Sequence, residues 1–422
     1  MRENIPSGQL SGNILVIGGG IAGLSAALEA SEAGYDVYVV ERNPYLGGRV
    51  AQLYKYFPKL CPPYCGLEIL FRRIRTNPKI KFLTMSEVVD VSGSPGNFDV
   101  TVRIKPRYVD ISKCTACGEC AKVCPVERDN DFNYGMDKTK AIYLPHDLAF
   151  PMKYVIDDSV CKKDECAKCV SACKYDAIDF SMEEKTINIK AESIIVATGW
   201  KPYDATKLTN LGFGKYPNVI TNVMMERLAS YNGPTKGKIV RPSDGKEPNT
   251  IAFVQCAGSR DENHLPYCSA ICCLASMKQA TYIREQYPDA KVYIFYIDIR
   301  APGRFEDFYA TVSEDENIVF VKGKVAKIEE GENGNLIVVA ENTLTGEKTR
   351  TEVEMVVLAT GMQPELSGVN LPIKELKLDS YGFALSSPGI YVAGVAKKPS
   401  DVATAVEEST AAALKGIQIA KR

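Results

Sequence analysis

The sequence predicts an α/β protein in which two dinucleotide-binding-type domains are interrupted by an inserted cysteine-rich domain. Three observations predict it. A strand, a glycine loop, a helix, a second strand and an acid open the chain in that order. Two runs of four cysteines occupy its middle. A second strand–helix–strand series then follows, with cysteines in the loop where glycines are expected. The expected segments are 1–105, 187–248 and 350–422 for the first α/β domain, 106–186 for the insert and 249–349 for the second α/β domain.

Length and composition suit this plan. A chain of 422 residues can bury two or three cores. Hydrophobic residues at 45% and charged residues at 24% are ordinary for a globular protein. A net charge of −1 argues against nucleic acid as the main partner, because a phosphate-binding face leaves a basic balance. No apolar run approaches the ~20 residues of a membrane span. Met1–Leu10 is polar and lacks the apolar core of a signal peptide. The expectation is a cytoplasmic chain that meets the inner face of the membrane only through other subunits. Cysteine is the outlier, with 14 residues. In a large chain without a secretory signal, clustered cysteines read as metal ligands or redox groups rather than disulfides. The two histidines, His146 and His264, read as loop residues and leave little for haem ligation.

The first element is the apolar run Asn13-Ile-Leu-Val-Ile17, followed at once by Gly18-Gly-Gly20-Ile-Ala-Gly23. Leu24 to Ala33 is rich in Ala and Leu and reads as a helix; Val37 to Val40 reads as the next strand and ends in Glu41. Gly18 allows the tight turn, Gly20 lets backbone approach a pyrophosphate, and Gly23 lets helix and strand pack closely. The helix N-terminus offers amide donors to phosphates. Glu41 can accept from a ribose hydroxyl. The next segment, Arg42-Asn-Pro-Tyr-Leu-Gly-Gly48-Arg49, resembles the flavoproteins with two dinucleotide-binding domains, in which the N-terminal loop holds FAD. Ile194-Ile-Val-Ala-Thr198-Gly199 and Val356-Val-Leu-Ala-Thr-Gly361 look like that family's paired crossover strands. Gly389-Ile-Tyr-Val-Ala-Gly394 looks like its C-terminal strand that closes on the flavin, with Val395 where the family has an acid. The resemblance implies an FAD-contacting set of Gly18, Gly20, Gly23, Glu41, Arg42, Gly48, Arg49, Val88, Thr198, Gly199 and Gly394.

The insert carries Cys114-x2-Cys117-x2-Cys120-x3-Cys124-Pro125 and Cys161-x4-Cys166-x2-Cys169-x3-Cys173. The first is the bacterial ferredoxin run. The second is the same run with two extra residues, Lys163 and Asp164 being the candidates, and with Lys174 in place of the proline. Three closely spaced thiolates reach three corners of one cubane, and the fourth serves the other cluster. One [4Fe–4S] cluster is therefore expected on Cys114, Cys117, Cys120 and Cys173, and a second on Cys161, Cys166, Cys169 and Cys124. Structural zinc, the rival, prefers two separated C-x2-C pairs. Flavin exchanges one or two electrons and clusters pass one at a time, so an insert of this kind makes a wire that splits or joins electron pairs.

The second α/β domain reads as strand 251–254, a helix around 271–287 and strand 292–297. Its first loop, Gln255-Cys-Ala-Gly-Ser-Arg260, has no G-x-G-x-x-G, so a nicotinamide nucleotide is not expected there. The segments Phe253-Val-Gln-Cys-Ala-Gly-Ser-Arg-Asp-Glu262, Pro266-Tyr-Cys-Ser-Ala-Ile-Cys-Cys273 and Ala275-Ser-Met-Lys-Gln-Ala280 resemble the A subunits of heterodisulfide reductases and their relatives, and the likeness covers nearly the whole chain. ERNPYLGGRVAQLYKYFPKLCPPYCGLEI (41–69), Ala121-Lys-Val-Cys-Pro-Val-Glu127 and YGMDKTKAIYLPHDLAFP (134–151) are most similar to the A subunits of quinone-interacting membrane-bound oxidoreductase complexes of sulfate reducers.

The family resemblance implies a thioredoxin-reductase-like core with FAD. It also implies an additional cluster, a third [4Fe–4S], on Cys256, Cys268, Cys272 and Cys273; a redox-active thiol pair and inert buried thiols are the alternatives for these four. Cys61-Pro-Pro-Tyr-Cys65 either faces the flavin, lends a ligand to the extra cluster, or is a pair of thiols in a turn. Arg300-Ala-Pro-Gly-Arg304 is a mixed-charge loop, a partner contact or a solvated turn. The implied partners are a homologous flavin/iron–sulfur subunit, a haem-bearing membrane subunit using menaquinone, and adenylylsulfate reductase. No catalytic acid or base for an organic substrate is evident. The competing readings are a heterodisulfide-reductase-like complex acting on thiols or sulfur compounds, a stand-alone NAD(P)H-dependent oxidoreductase and a non-catalytic assembly scaffold.

Overall fold

The computed structural model describes residues 10–420. The polar N-terminal stretch read above lies, apart from Leu10, outside the described residues. The first domain is built on a parallel sheet of five strands in the order Ile390–Val392, Ser193–Val196, Ile14–Ile17, Val37–Val40, Ile80–Leu83. These strands are continuous apolar runs because both faces of the sheet are covered. Helices Ile21–Glu32 and Val402–Ile419 pack against each other on one face. The latter is started by Asp401, whose carboxylate accepts from the Thr404 amide at 3.1 Å. On the other face lies a sheet of Leu10–Ser11, Lys185–Ala191, Asn97–Ile104 and Ser86–Ser94. Val100, Val102 and Ile189 from it share one core with Leu15, Ile17 and Val40.

The cysteine-rich insert leaves this second sheet at Ile104 and returns at Lys185, and those two residues are antiparallel partners. Its only helices among the described residues are short, Glu119–Lys122 and Lys168–Ala172, besides single 3-10 turns. Its small core mixes Tyr108, Val109, Ile142, Ile156 and Ile178 with Cys114 and Cys169. The arm between the two cysteine runs forms a hairpin, Glu127–Asp129 with Lys138–Lys140, that reaches over the first domain.

The second domain has a parallel sheet in the order Val219–Thr221, Met355–Thr360, Thr250–Ala257, Lys291–Tyr296, Ile318–Lys322. Val219–Thr221 and Met355–Thr360 were expected in the first domain's second and third segments, 187–248 and 350–422. Their ladders place them here instead. A short strand buried on both faces reads the same in either sheet, and only its partners decide. An antiparallel ribbon of Trp200–Pro202 with Met362–Pro364 follows the two Ala-Thr-Gly turns and carries the chain between the domains.

The junction of the three parts is polar and buried. Arg227 is wholly buried and donates to Gln52 O (3.3 Å), Asn133 Oδ1 (2.8 Å) and Asn232 Oδ1 (2.8 Å), with its guanidinium 4.7 Å from the Phe132 ring centre. Beside it Lys278 and Glu226 form an ion pair at 2.9 Å. Lys278 also donates to Lys55 O, and Glu226 accepts from the Tyr54 amide. Among the described residues no helix is long and apolar enough to cross a membrane.

Candidate cofactor sites

A cavity of about 670 Å³ opens over the C-terminal ends of the first domain's strands. Gly18, with φ +111°, turns the chain there; a side chain on it would lie 2.3 Å from the Ala197 carbonyl. Helix Ile21–Glu32 begins at Gly20 without any side-chain cap, so its first amides are left for a ligand. Gly23 is behind the wall, where a Cβ would sit 1.9 Å from Gly18 O. Gly20, Glu41, Arg42, Gly48, Arg49, Val88, Thr198 and Gly199 all line the cavity. Gly394 packs against Ala22 behind it, and its neighbour Val395 faces in.

Glu41 is buried and accepts from the Gly19 amide (2.7 Å) and from both nitrogens of Asn43 (2.7 and 2.8 Å). Burial pushes its carboxyl pKa up, and those hydrogen bonds oppose the shift. A carboxylate has about four lone-pair sites, so acceptor capacity remains for a ribose hydroxyl. Arg42 pairs with Glu365 at 2.8 Å. Arg49 donates to the Trp200 carbonyl (2.7 Å), Gln52 Oε1 and Tyr134 OH, and lies over the Trp200 ring. Thr198 Oγ1 is buried without a partner. The glycine cradle, the open helix end and this orphaned hydroxyl fit a dinucleotide.

Part of the wall was not expected from the sequence. Arg128, Asn130, Asp131, Phe132 and Tyr143 of the insert line the same cavity. Arg128 lies 4.3 Å over Tyr143, and Phe132 stacks on His146 at 4.5 Å. No local pattern marks residues whose role comes from a hairpin folding back. Trp200 and Glu365 were missed too, although each lies close after an Ala-Thr-Gly turn and that position was a usable signal.

The eight insert cysteines gather in two sets. Cys114, Cys117, Cys120 and Cys173 surround one void, and Cys124, Cys161, Cys166 and Cys169 another, with Ile142 between them. Among the described residues no three ligand side chains converge tightly enough for a lone ion. A zinc ion draws its sulfurs to ~2.3 Å from one point, whereas a cluster holds them apart at its corners. Burial pushes the thiol of Cys120 up to about 12 and that of Cys169 up to about 11. Cys161 and Cys173 accept amide hydrogen bonds from Lys163 and Ala177 at 3.4 Å.

The second cysteine site forms at the end of strand Thr250–Ala257. A bulge between Val254 and Ala257 throws Cys256, with φ +55°, out of the ladder. Cys272 and Cys273 open helix Cys272–Gln286, and Cys268 lies on the loop before it. The four sulfurs are close enough that Cys256, Cys268 and Cys273 each raise the pKa of Cys272, after burial as the main cause. Cys256 is pushed up to about 11, chiefly by burial. The neighbouring Gln255 is buried with neither amide atom hydrogen-bonded. Tyr267 and Ile271, each beside a cysteine, pack with Trp200 and Val395 of the flavin-type cavity. Cys61 and Cys65 are both exposed, at the start of helix Pro63–Thr76. His264 sits on a loop with Nδ1 2.8 Å from Tyr203 OH, and His146 is buried.

Residues 13–59 match the family described as FAD dependent oxidoreductase, and residues 107–127 match the 4Fe-4S binding domain. The first of two iron-sulfur A subunits of the CoB–CoM heterodisulfide reductase of Methanopyrus kandleri is 41% identical over 97% of this chain and 65% of its own length. The A subunit of the H(2):CoB-CoM heterodisulfide,ferredoxin reductase of Methanothermobacter marburgensis is 40% identical over 94% of this chain and 62% of its own. The chain thus spans less than two thirds of these relatives. In fold it is similar to thioredoxin reductase of T. acidophilum, with a TM-score of 0.53 at 15% identity over 97% of this chain and 98% of that one. Lactococcus lactis thioredoxin reductase gives 0.51 at 14% identity, over 97% and 99%. The chain is an oxidoreductase with an FAD-binding, thioredoxin-reductase-like fold and a 4Fe–4S segment, and a homologue of the heterodisulfide reductase A subunits.

Proposed function

We propose that this chain is the electron-transfer component of a heterodisulfide-reductase-like complex. It would hold FAD in the 670 Å³ cavity, two [4Fe–4S] clusters in the insert and a third on Cys256, Cys268, Cys272 and Cys273. The observation that carries this reading is the position of the cavity. The cluster insert forms part of its wall, and the second cysteine site abuts it through Tyr267 and Ile271. Bound FAD supplies the exchange between electron pairs and single electrons. The chain's own residues hold and shield it: Arg49 ties Trp200, Gln52 and Tyr134 together, and Phe132 closes the insert side. Glycine loop and helix end orient the phosphates.

The finer reading is the A component of a quinone-interacting membrane complex. Two further subunits accompany it there. One is a homologous flavin/iron–sulfur protein, and the other is a haem-bearing menaquinone protein that brings the chain to the inner membrane face. The complex serves adenylylsulfate reductase. The motif likeness of 41–69 and 134–151 supports this reading. Anaerobic purification of the native complex, with flavin and iron counts and identification of the co-purifying proteins, tests both levels. About twelve irons per chain support three clusters, and about eight sink the third. Rapid bleaching of the isolated flavoprotein by NADH would restore the nicotinamide reading, which the bulged, cysteine-bearing loop opposes.

A further inference from the structure

Arg260 follows Cys256 by four residues, with a left-handed backbone (φ +58°) and its amide bonded to the Tyr267 carbonyl at 3.1 Å. Its guanidinium is only partly exposed. It lies 2.7 Å from Asp298 Oδ1 and hydrogen-bonds the Cys256 sulfur. Arg300 Nε stands 3.5 Å from the same Asp298 oxygen. The Arg300 backbone bonds the Cys273 sulfur, which lies 3.8 Å from the Asp298 carbonyl. Two arginines and one aspartate leave a single net positive charge beside these sulfurs. The amide of Ala270 donates to Cys268 Sγ at 3.3 Å, and Cys272 and Cys273 occupy the positive end of a 15-residue helix. The insert differs. There the cysteine sulfurs meet neutral backbone amides, and the nearby Lys163 ammonium is already paired with Asp158 at 2.5 Å.

We propose that Arg260 tunes the second-domain centre to be the high-potential end of this chain, an inference that rests on the reading of Cys256, Cys268, Cys272 and Cys273 as cluster ligands. A thiolate-bound cluster is anionic and gains one more negative charge on reduction. A guanidinium on a ligand sulfur therefore stabilises the reduced form more than the oxidised one, and hydrogen bonds and net charge near the sulfurs are what set such potentials. No bond forms or breaks. One electron moves from the reduced flavin, which is oxidised, to this centre, which is reduced. The short path past Tyr267 and Trp200 serves that transfer, and the insert clusters are the low-potential side.

The test is a redox titration of the anaerobically purified full chain, followed by electron paramagnetic resonance, for the native protein and two variants of opposite charge effect. R260Q is expected to shift the extra signal negative by at least tenfold in the one-electron equilibrium, about 59 mV. D298N, which removes the charge offsetting Arg260, is expected to shift it positive. The insert signals stay in place in both. A general disturbance of the site would move both variants the same way and overturn the proposal, as would an extra signal that R260Q leaves unmoved. About eight irons and no extra signal would overturn the three-cluster reading itself, and Arg260 tuning with it.

Discussion

Burial divides the cysteines by reactivity at the scale of single residues. The thiolate is the nucleophile, and thiols at Cys120, Cys169 and Cys256 are pushed up to about 12, 11 and 11 by burial. Cys61 and Cys65 are exposed. In the cluster-loaded protein, mild iodoacetamide is expected to label these two first, about two equivalents per chain, read by peptide mass spectrometry. Stoichiometric labelling of Cys272 or Cys273 would favour a free thiol pair instead. His146 gives a pH prediction. Burial, and secondarily Arg227, lowers its pKa from 6.5 to about 3. Its folded-state pKa is depressed, so it holds no stability cost above pH 6.5 and destabilises progressively as pH falls from 6.5 towards 3. The slope is about 1.4 kcal/mol per pH unit at most. H146F keeps the stacking on Phe132 and removes the proton site. Urea unfolding of the variant should show a flatter loss of stability between pH 7 and pH 5.

At the scale of elements, the helices Asn222–Ala229 and Cys272–Gln286 are joined by a buried charge pair. Breaking such a pair strands one ion in a dry site. K278M is expected to cost about 3–5 kcal/mol in denaturant unfolding, and E226L combined with K278M to recover part of that loss. Element by element, much was legible beforehand. Gly18 to Glu41 lies in the order and spacing that strand, turn and helix geometry require, and the double cysteine register admitted one sorting of sulfurs into two sets. Strand membership was less legible. Met355–Thr360 and Val219–Thr221 join the second sheet through hydrogen bonds to strands over a hundred residues away, and no local period encodes a distant partner. The cavity wall from Arg128 to Tyr143 was hidden for the same reason.

At the scale of the whole molecule, the flavin-type cavity is where all three parts meet, and the single tryptophan of the chain lines it. Titrating FAD into cofactor-free protein is therefore expected to quench most of the intrinsic tryptophan emission with one-to-one stoichiometry. A W200F variant should bind FAD with no such signal. Quenching below half of the emission would place the bound flavin away from Trp200. The pairing of Ile104 with Lys185 has a further meaning. The ends of the cysteine-rich segment are held side by side before that segment is reached, so closing its loop costs only the slow logarithmic entropy of chain length. A redox module can be spliced between two strands of that kind without shifting their register or disturbing the sheet beneath. The host fold could have acquired its wiring in one recombination, like a cartridge seated in an existing slot, with only the lip of the slot left to be refitted.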